Sequence, residues 1–457
     1  MARAAWFGRR VKGGTLPVLL FLAPVLVLSA PRLTVVVFVL MALGLIFEWR
    51  RAGHSWRELM APSPELYAFA ALGAYLFINA SWAVAPLEAV GKAATFAAFT
   101  LLTFASVRVI PILDQRQLKP LAFALVAGAT VGTALLVLEL ATLQTLARDL
   151  TDSLRWLLPS SKHLRFDSSG AIRGIEASEL NRNAALAALG LWPGLLILRS
   201  LAQGATRTTL MVLLFILTVV AVGISQHDSS QIAIPATILV FGTAWFWPVL
   251  TCRALLVLWC AGFVVFVPLA TAAYKAELYR AKWLPKSYRA RIILWNYTAS
   301  KLGEAPLLGV GIRSTRPLNE AQPRVRKADL PEGFVFPQRT GNHAHDLFLQ
   351  CWYEMGVIGV VLVMLVGAMV IRQLDRLPPA TQPYACALFT AFALIASFAW
   401  DIWQTWLMAS YALAAMYMTV AVTAATNECS GRSGAARKNS ASELAFDDSI
   451  ASVTLPR

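Results

Sequence analysis

The chain has 457 residues, of which 58% are hydrophobic and only 14% charged, with a formal net charge of +15 and a mean hydropathy of +0.61. Soluble globular chains carry roughly a quarter charged residues, so a soluble enzyme is excluded. A membrane β-barrel is excluded too, because its strands are short and alternate, whereas apolar runs of near 18 residues or more recur here, long enough to cross a hydrocarbon core of about 30 Å.

In chain order, the N-terminus reads MARAAWFGRRVKGG, followed by an apolar run from Leu16 to Ser29. A basic flank before a short apolar run is similar to a secretory leader. Further spans follow at once, so it reads as an uncleaved first helix. About twelve spans are expected, at 15–30, 33–48, 65–82, 88–107, 119–140, 183–199, 208–224, 230–248, 254–272, 346–371, 382–399 and 402–425. Between them the alternate loops are basic: Arg3, Arg9, Arg10 and Lys12; Arg50, Arg51 and Arg57; Arg108, Arg116 and Lys119; Arg199 and Arg207; Arg253; Arg372 and Arg376. Basic short loops stay inside, which places 1–14 and the tail 426–457 in the cytoplasm. That tail is rich in Ser, Ala and basic residues and is expected to be disordered. Spans one to five fill 15–140 and spans six to nine fill 183–272, and the last three occupy 346–425. Two long outer segments remain, 141–182 and 273–345. Five cysteines, Cys252, Cys260, Cys351 and Cys386 in or beside apolar runs and Cys429 in the tail, suggest no disulfide framework.

The segment 273–345 holds thirteen Lys/Arg against five acids, a net of +8. Anionic lipid head groups would be attracted to it, and so would a polyanionic substrate such as a pyrophosphate. It ends in GNHAHDLFLQCWYEMGVIG, residues 341–359. Taken as a helix from 345, this places His345, Leu349, Trp352, Gly356 and Gly359 on one stripe, with Glu354 on the opposite face and about 13 Å deeper. Glu354 is therefore expected to bond another helix or a deep polar pocket, not to partner His345. A buried carboxyl is costly unless paired. Asp346 would sit in the first turn, where its charge suits the helix dipole.

Three stretches carry a resemblance. The spacing His345, Leu349, Glu354, Gly356, Gly359 resembles the signature of the O-antigen ligase and polymerase superfamily, with Asp346 where Asn or Ser is usual. RARIILWNYTASKLGEAPLLGVGIR is similar to a second family segment through Arg291, Trp295, Pro306, Gly309 and Gly311. IRGIEASELNRNAALAAL loosely resembles a third, through Arg173 and Gly174. One family element is missing, since the span near 225 opens with SQHDSSQIAI where Ser-Arg is common.

The resemblance implies an all-α polytopic membrane protein of GT-C-like glycosyltransferase architecture, with a large, partly helical periplasmic loop. By the same resemblance it would lie in a bacterial inner membrane with its active site facing the periplasm. It would move an oligosaccharide from undecaprenyl pyrophosphate to a hydroxyl on a lipid A–core acceptor, most like a lipopolysaccharide O-antigen ligase. Membrane lipids are the remaining partners. No nucleic acid, cofactor or metal is expected. The outer segments offer no compact acidic cluster for a metal, so guanidinium groups are expected to neutralise the leaving pyrophosphate. Arg291 and Arg173 are the first choices, with Arg289 and Arg182 behind them. Trp295, four residues after Arg291, would hold its guanidinium. His345 would remove the acceptor proton, in a single displacement that inverts the anomeric centre. His343 is expected to point elsewhere. Asp401, in a tight outer turn, would orient a histidine or line the acceptor entrance, while Trp400, Trp403 and Trp406 read as an interfacial aromatic belt. His227 and Asp228 share another outer turn and rank behind these. Three other readings stay open: a polymerase of the same superfamily, a protein O-oligosaccharyltransferase, and a flippase or transporter of lipid-linked glycan.

Overall fold

In a computed structural model the described residues are 15–59, 61–142, 144–145, 148–149, 153, 164–170, 172–176 and 180–451. The chain is an all-α, multi-pass membrane protein with, among the described residues, one small hairpin. The helices are α1 (Thr15–Ser29), α2 (Thr34–Arg51), α3 (Pro64–Asn79), α4 (Pro86–Val109), α5 (Gln115–Ala141), α6 (Asn181–Leu201), α7 (Gly204–Ile224), α8 (Asp228–Phe246), α9 (Pro248–Lys275), α10 (Lys286–Lys301), α11 (Thr315–Glu320), α12 (Leu347–Asp375), α13 (Gln382–Phe398) and α14 (Thr405–Ala451). Strands β1 (Leu164–Phe166) and β2 (Ile172–Ile175) pair antiparallel between α5 and α6.

Nine helices among the described residues are long and apolar enough to cross a membrane, fewer than the expected twelve. Segments 15–28 and 382–398 are shorter apolar helices, and α3 has 16 residues. The reason is visible in α13. Every residue from Gln382 to Ala391 is buried, so protein rather than lipid surrounds it, and the span-length rule for lipid-facing helices does not bind it. α13 belongs to both large apolar cores. Its Tyr384, Leu388 and Ile395 join one core with α1, α2, α5, α6 and α14. Its Cys386, Phe389 and Ala396 join the other with α3, α9 and α12. The closest helix pairings are α8 with α13, α1 with α5, α14 with α6 and α9 with α12.

α12 is not continuous. Gly356 has φ 61° and ψ −166°, which breaks the helix roughly 14 Å below its start at 1.5 Å per residue. A break at that depth frees backbone groups that lipid cannot satisfy. The loop Pro306–Gly311 satisfies them. The Val310 and Gly311 amides donate to the carbonyls of Tyr353 (2.9 Å) and Glu354 (3.0 Å), and the Val357 and Ile358 amides donate to Pro306 (2.9 Å) and Leu307 (3.3 Å). So the stretch around 306–312 of the long segment packs against the inside of a helix. Close approach explains two glycines: a Cβ on Gly309 would lie 2.4 Å from the Glu354 backbone, and one on Gly356 would lie 2.5 Å from that of Leu307. From α3, Asn79 donates to Leu308 O (2.8 Å) and accepts from the Ile312 amide (2.7 Å), while the Tyr75 hydroxyl donates to Met355 O (2.6 Å).

Candidate active site

The site is organised around the short link between α13 and α14, residues 399–404, whose neighbours come from four other parts of the chain. Helix α12 begins only at Leu347, and His345 stands before it with φ 53°. The helical stripe expected for His345 therefore does not exist. The reason is Asp346, whose extended backbone (φ −160°, ψ 127°) makes it the N-cap. Its Oδ1 accepts from the Leu349 amide at 2.7 Å. Full burial pushes the Asp346 carboxyl pKa well above the usual carboxylate range, so it stabilises the helix as a hydrogen-bonding cap more than as a charge on the dipole.

The His345 ring is half-buried and faces back toward the link. Nδ1 lies 2.9 Å from the carbonyl oxygen of Ala399. A carbonyl only accepts, so Nδ1 carries the proton and Nε2 keeps its lone pair. The His343 ring does not point elsewhere. Its centroid is 3.8 Å from that of His345, and its Nε2 is 3.1 Å from His345 Nδ1. Since Nδ1 holds the shared proton, His343 Nε2 is unprotonated as well. Burial, helped by neighbouring positive charge, lowers the pKa to about 3 for His345 and to about 4 for His343. Both rings are neutral at pH 7.

Asp401 is buried and anchored on three sides. Its Oδ2 accepts from Arg313 Nη1. Its Oδ1 accepts from Gln350 Nε2 (2.7 Å) and from the Trp403 amide (3.1 Å). Arg313 also lies 3.6 Å from Glu88. Gln350 continues the network to Glu354 Oε2 (3.3 Å). Glu354 accepts from Thr315 Oγ1 (2.6 Å) and from the indole of Trp403. Glu354 is thus a paired carboxyl in a deep polar pocket. Trp403 and Trp406 are 4% and 6% exposed, so they do not form a lipid-facing belt. Trp403 donates to Glu354, and Trp400 packs edge-on against Trp406 (4.8 Å).

Of the predicted arginines, two are drawn to this region. Arg291, on α10, has a side chain 16% exposed. Its Nη1 is 3.9 Å from Asp228 Oδ2, yet has no hydrogen-bond partner. Its positive charge is among the causes that depress both histidines. Arg182, at the start of α6, lies over the ring of Trp406 at 5.6 Å. Arg289 instead donates to Tyr279 O (2.8 Å), a backbone anchor. Arg173 is exposed on β2, and among the described residues no hydrogen bond or ion pair joins it to the histidines. Trp295 packs on Phe266 (5.1 Å) and Phe398 (6.2 Å). The ring beneath Arg291 is that of Tyr288, at 5.4 Å. The i, i+4 spacing placed Trp295 on the right side of α10, but the apolar ends of α9 and α13 offered its ring a larger contact.

Sequence reasoning did not single out Arg313, Gln350 or Trp403 as site residues. Arg313 is one of thirteen basic residues in its segment, and only the fold brings it to Asp401. The signal available was its place two residues after Gly311, inside the loop that plugs the α12 break.

Residues 213–364 match the family model described as O-Antigen ligase. The kinship expected from the His345, Arg291 and Gly309–Gly311 segments is therefore borne out. The chain is 25% identical to "Putative polysaccharide ligase RC0486" of Rickettsia conorii over 236 residues, 50% of this chain and 55% of that one. It is 24% identical to a "Putative polysaccharide ligase" of Rickettsia felis over the same length and shares. It spans about half the length of these curated relatives.

Proposed function

We propose that this chain, whose residues 213–364 match the O-antigen ligase family, is a glycosyltransferase that moves a lipid-linked polysaccharide onto an acceptor hydroxyl at the periplasmic face of the inner membrane. The donor is undecaprenyl pyrophosphate-linked O-antigen and the acceptor a lipid A–core sugar. The observation that carries this reading is the bond from His345 Nδ1 to the Ala399 carbonyl. It fixes the tautomer and leaves Nε2 as a neutral base beside buried cationic groups.

In the reaction the acceptor oxygen attacks the anomeric carbon and its proton passes to His345 Nε2. The bond from the anomeric carbon to the pyrophosphate oxygen breaks, and its electron pair leaves with the pyrophosphate. A single displacement of this kind inverts the centre. The leaving charge builds on phosphate oxygens, where Arg291 supplies fixed positive charge in a low-dielectric setting. Arg182 and Arg173 remain further candidates for that charge. Asp401 acts on the base through the link that it anchors, since Ala399 and Asp401 lie two residues apart.

The test combines purified protein with lipid-linked glycan and either lipid A–core or a second lipid-linked repeat. Transfer to the core alone supports ligation. A ladder growing on the carrier would make the chain a polymerase, and vesicle uptake of glycan without covalent transfer would make it a flippase. In this reading guanidinium groups supply the charge stabilisation, so a chelator should leave the transfer rate unchanged.

A further inference from the structure

Polar atoms buried without a partner are rare and costly, at about 1–3 kcal/mol each. Three of them lie at the beginning of α8 and on α10, which meets it at Asp228: His227 Nε2, Ser229 Oγ and Arg291 Nη1. His227 is 5% exposed and Ser229 1%. The His227 ring is fixed on two sides. It stacks on Trp400 with centroids 4.4 Å apart, and Nδ1 lies 2.6 Å from Ser230 Oγ. The neutral ring carries one proton: with Ser230 Oγ donating to Nδ1, Nε2 is an N–H donor, and that is the tautomer the seat requires. Asp228, between His227 and Ser229, turns to Ser287 Oγ (3.0 Å) and stands 3.9 Å from Arg291 Nη1. That is an ion pair without a hydrogen bond, so the Arg291 donor is unspent. The first turn of α8 adds backbone amides that favour an anion.

We infer that His227 Nε2–H, Ser229 Oγ–H and Arg291 Nη1 form a seat for a phosphate group of the pyrophosphate donor, with Asp228 as the resident counter-ion that a bound phosphate displaces. This rests on the transfer reading for the identity of the anion, and extends it to residues other than the base and the arginines already named. The imidazole enters as a neutral donor, because burial and the Arg291 charge lower the His227 pKa to about 3. Stacking on Trp400 ties the seat to the same link that holds His345 through Ala399, so donor and base share one frame.

The experiment is equilibrium binding of undecaprenyl pyrophosphate, without glycan, to the full chain in phosphatidylcholine nanodiscs. His227→Phe keeps the stack but removes the donor, and should weaken binding by about tenfold or more. His227→Gln restores an N–H near Nε2 and should stay within about threefold of the parent. Asp228→Asn removes the competing carboxylate and should bind more tightly. Unchanged binding in His227→Phe, or weaker binding in Asp228→Asn, overturns the seat. Competition by phosphatidylglycerol, but not by inorganic pyrophosphate, would assign the seat to a membrane head group and overturn the donor assignment. Absence of glycan transfer in the parent protein, with this binding pattern intact, would sink the transfer reading and leave the seat standing as a pyrophosphate site.

Discussion

At the scale of single residues, the state of His345 sets the pH response. Its pKa lies at about 3, so the ring remains a base as pH falls from 7 to 5. The basic form of an imidazole at its ordinary value of about 6.5 would fall about 25-fold over that range. kcat/KM reports the free enzyme, and its acid limb should therefore fall below pH 5, in a pH profile of initial transfer rates. A limb centred near 6.5 would mean that the ring is solvated and free. Asp401→Asn should remove the charge facing Arg313 while keeping a side chain of the same size. Breaking a buried pair leaves a lone charge, so transfer should fall at least tenfold, with donor KM less affected than kcat. His345 was legible because its spacing to Glu354 and the glycines carries a family pattern. The contact with His343 was not legible, since it depends on a positive φ at His345 that residue type alone does not announce.

At the scale of elements, the broken helix α12 and the loop Pro306–Gly311 form one unit. Each supplies the hydrogen bonds that the other lacks. Gly309→Ala adds a methyl where φ is +71° and the Glu354 backbone already occupies the space. The expected cost is more than about 2 kcal/mol, read as a large drop in melting temperature in detergent. Asn79→Ala strands the Ile312 amide and leaves the Leu308 carbonyl with the Tyr75 hydroxyl alone, and should destabilise by about 1–3 kcal/mol while leaving every proposed substrate-contacting side chain in place. A melting temperature unchanged in both variants would contradict the account of the plug. Hydropathy found the helices well, because burial in lipid or protein demands apolar faces either way. It could not find the break, since Gly356 lies within an uninterrupted apolar run and its partner loop is about fifty residues away. Nor could it separate lipid-facing helices from the shorter, protein-surrounded α13.

At the scale of the molecule, two helical cores share α13, and the link leaving its end gathers contributions from α6, α8, α12 and the long segment before α12. Trp403 and Trp406, expected in an interfacial belt, are instead buried in that junction, where the Trp403 indole donates to Glu354 and Trp406 packs on Trp400. Orientation rests on loop charge, and it predicts opposite fates for two single cysteines introduced into a cysteine-free background. Ser169→Cys on the hairpin should react with an impermeant maleimide in cells whose outer membrane is permeable, and Ser440→Cys only after the inner membrane is opened. The most direct measurement of the central claim pairs donor binding with transfer in purified His345→Ala protein. The account predicts an undecaprenyl pyrophosphate Kd close to the parent value and a transfer rate at least about a hundredfold lower. Undiminished transfer, or a loss explained wholly by weaker donor binding, would contradict it.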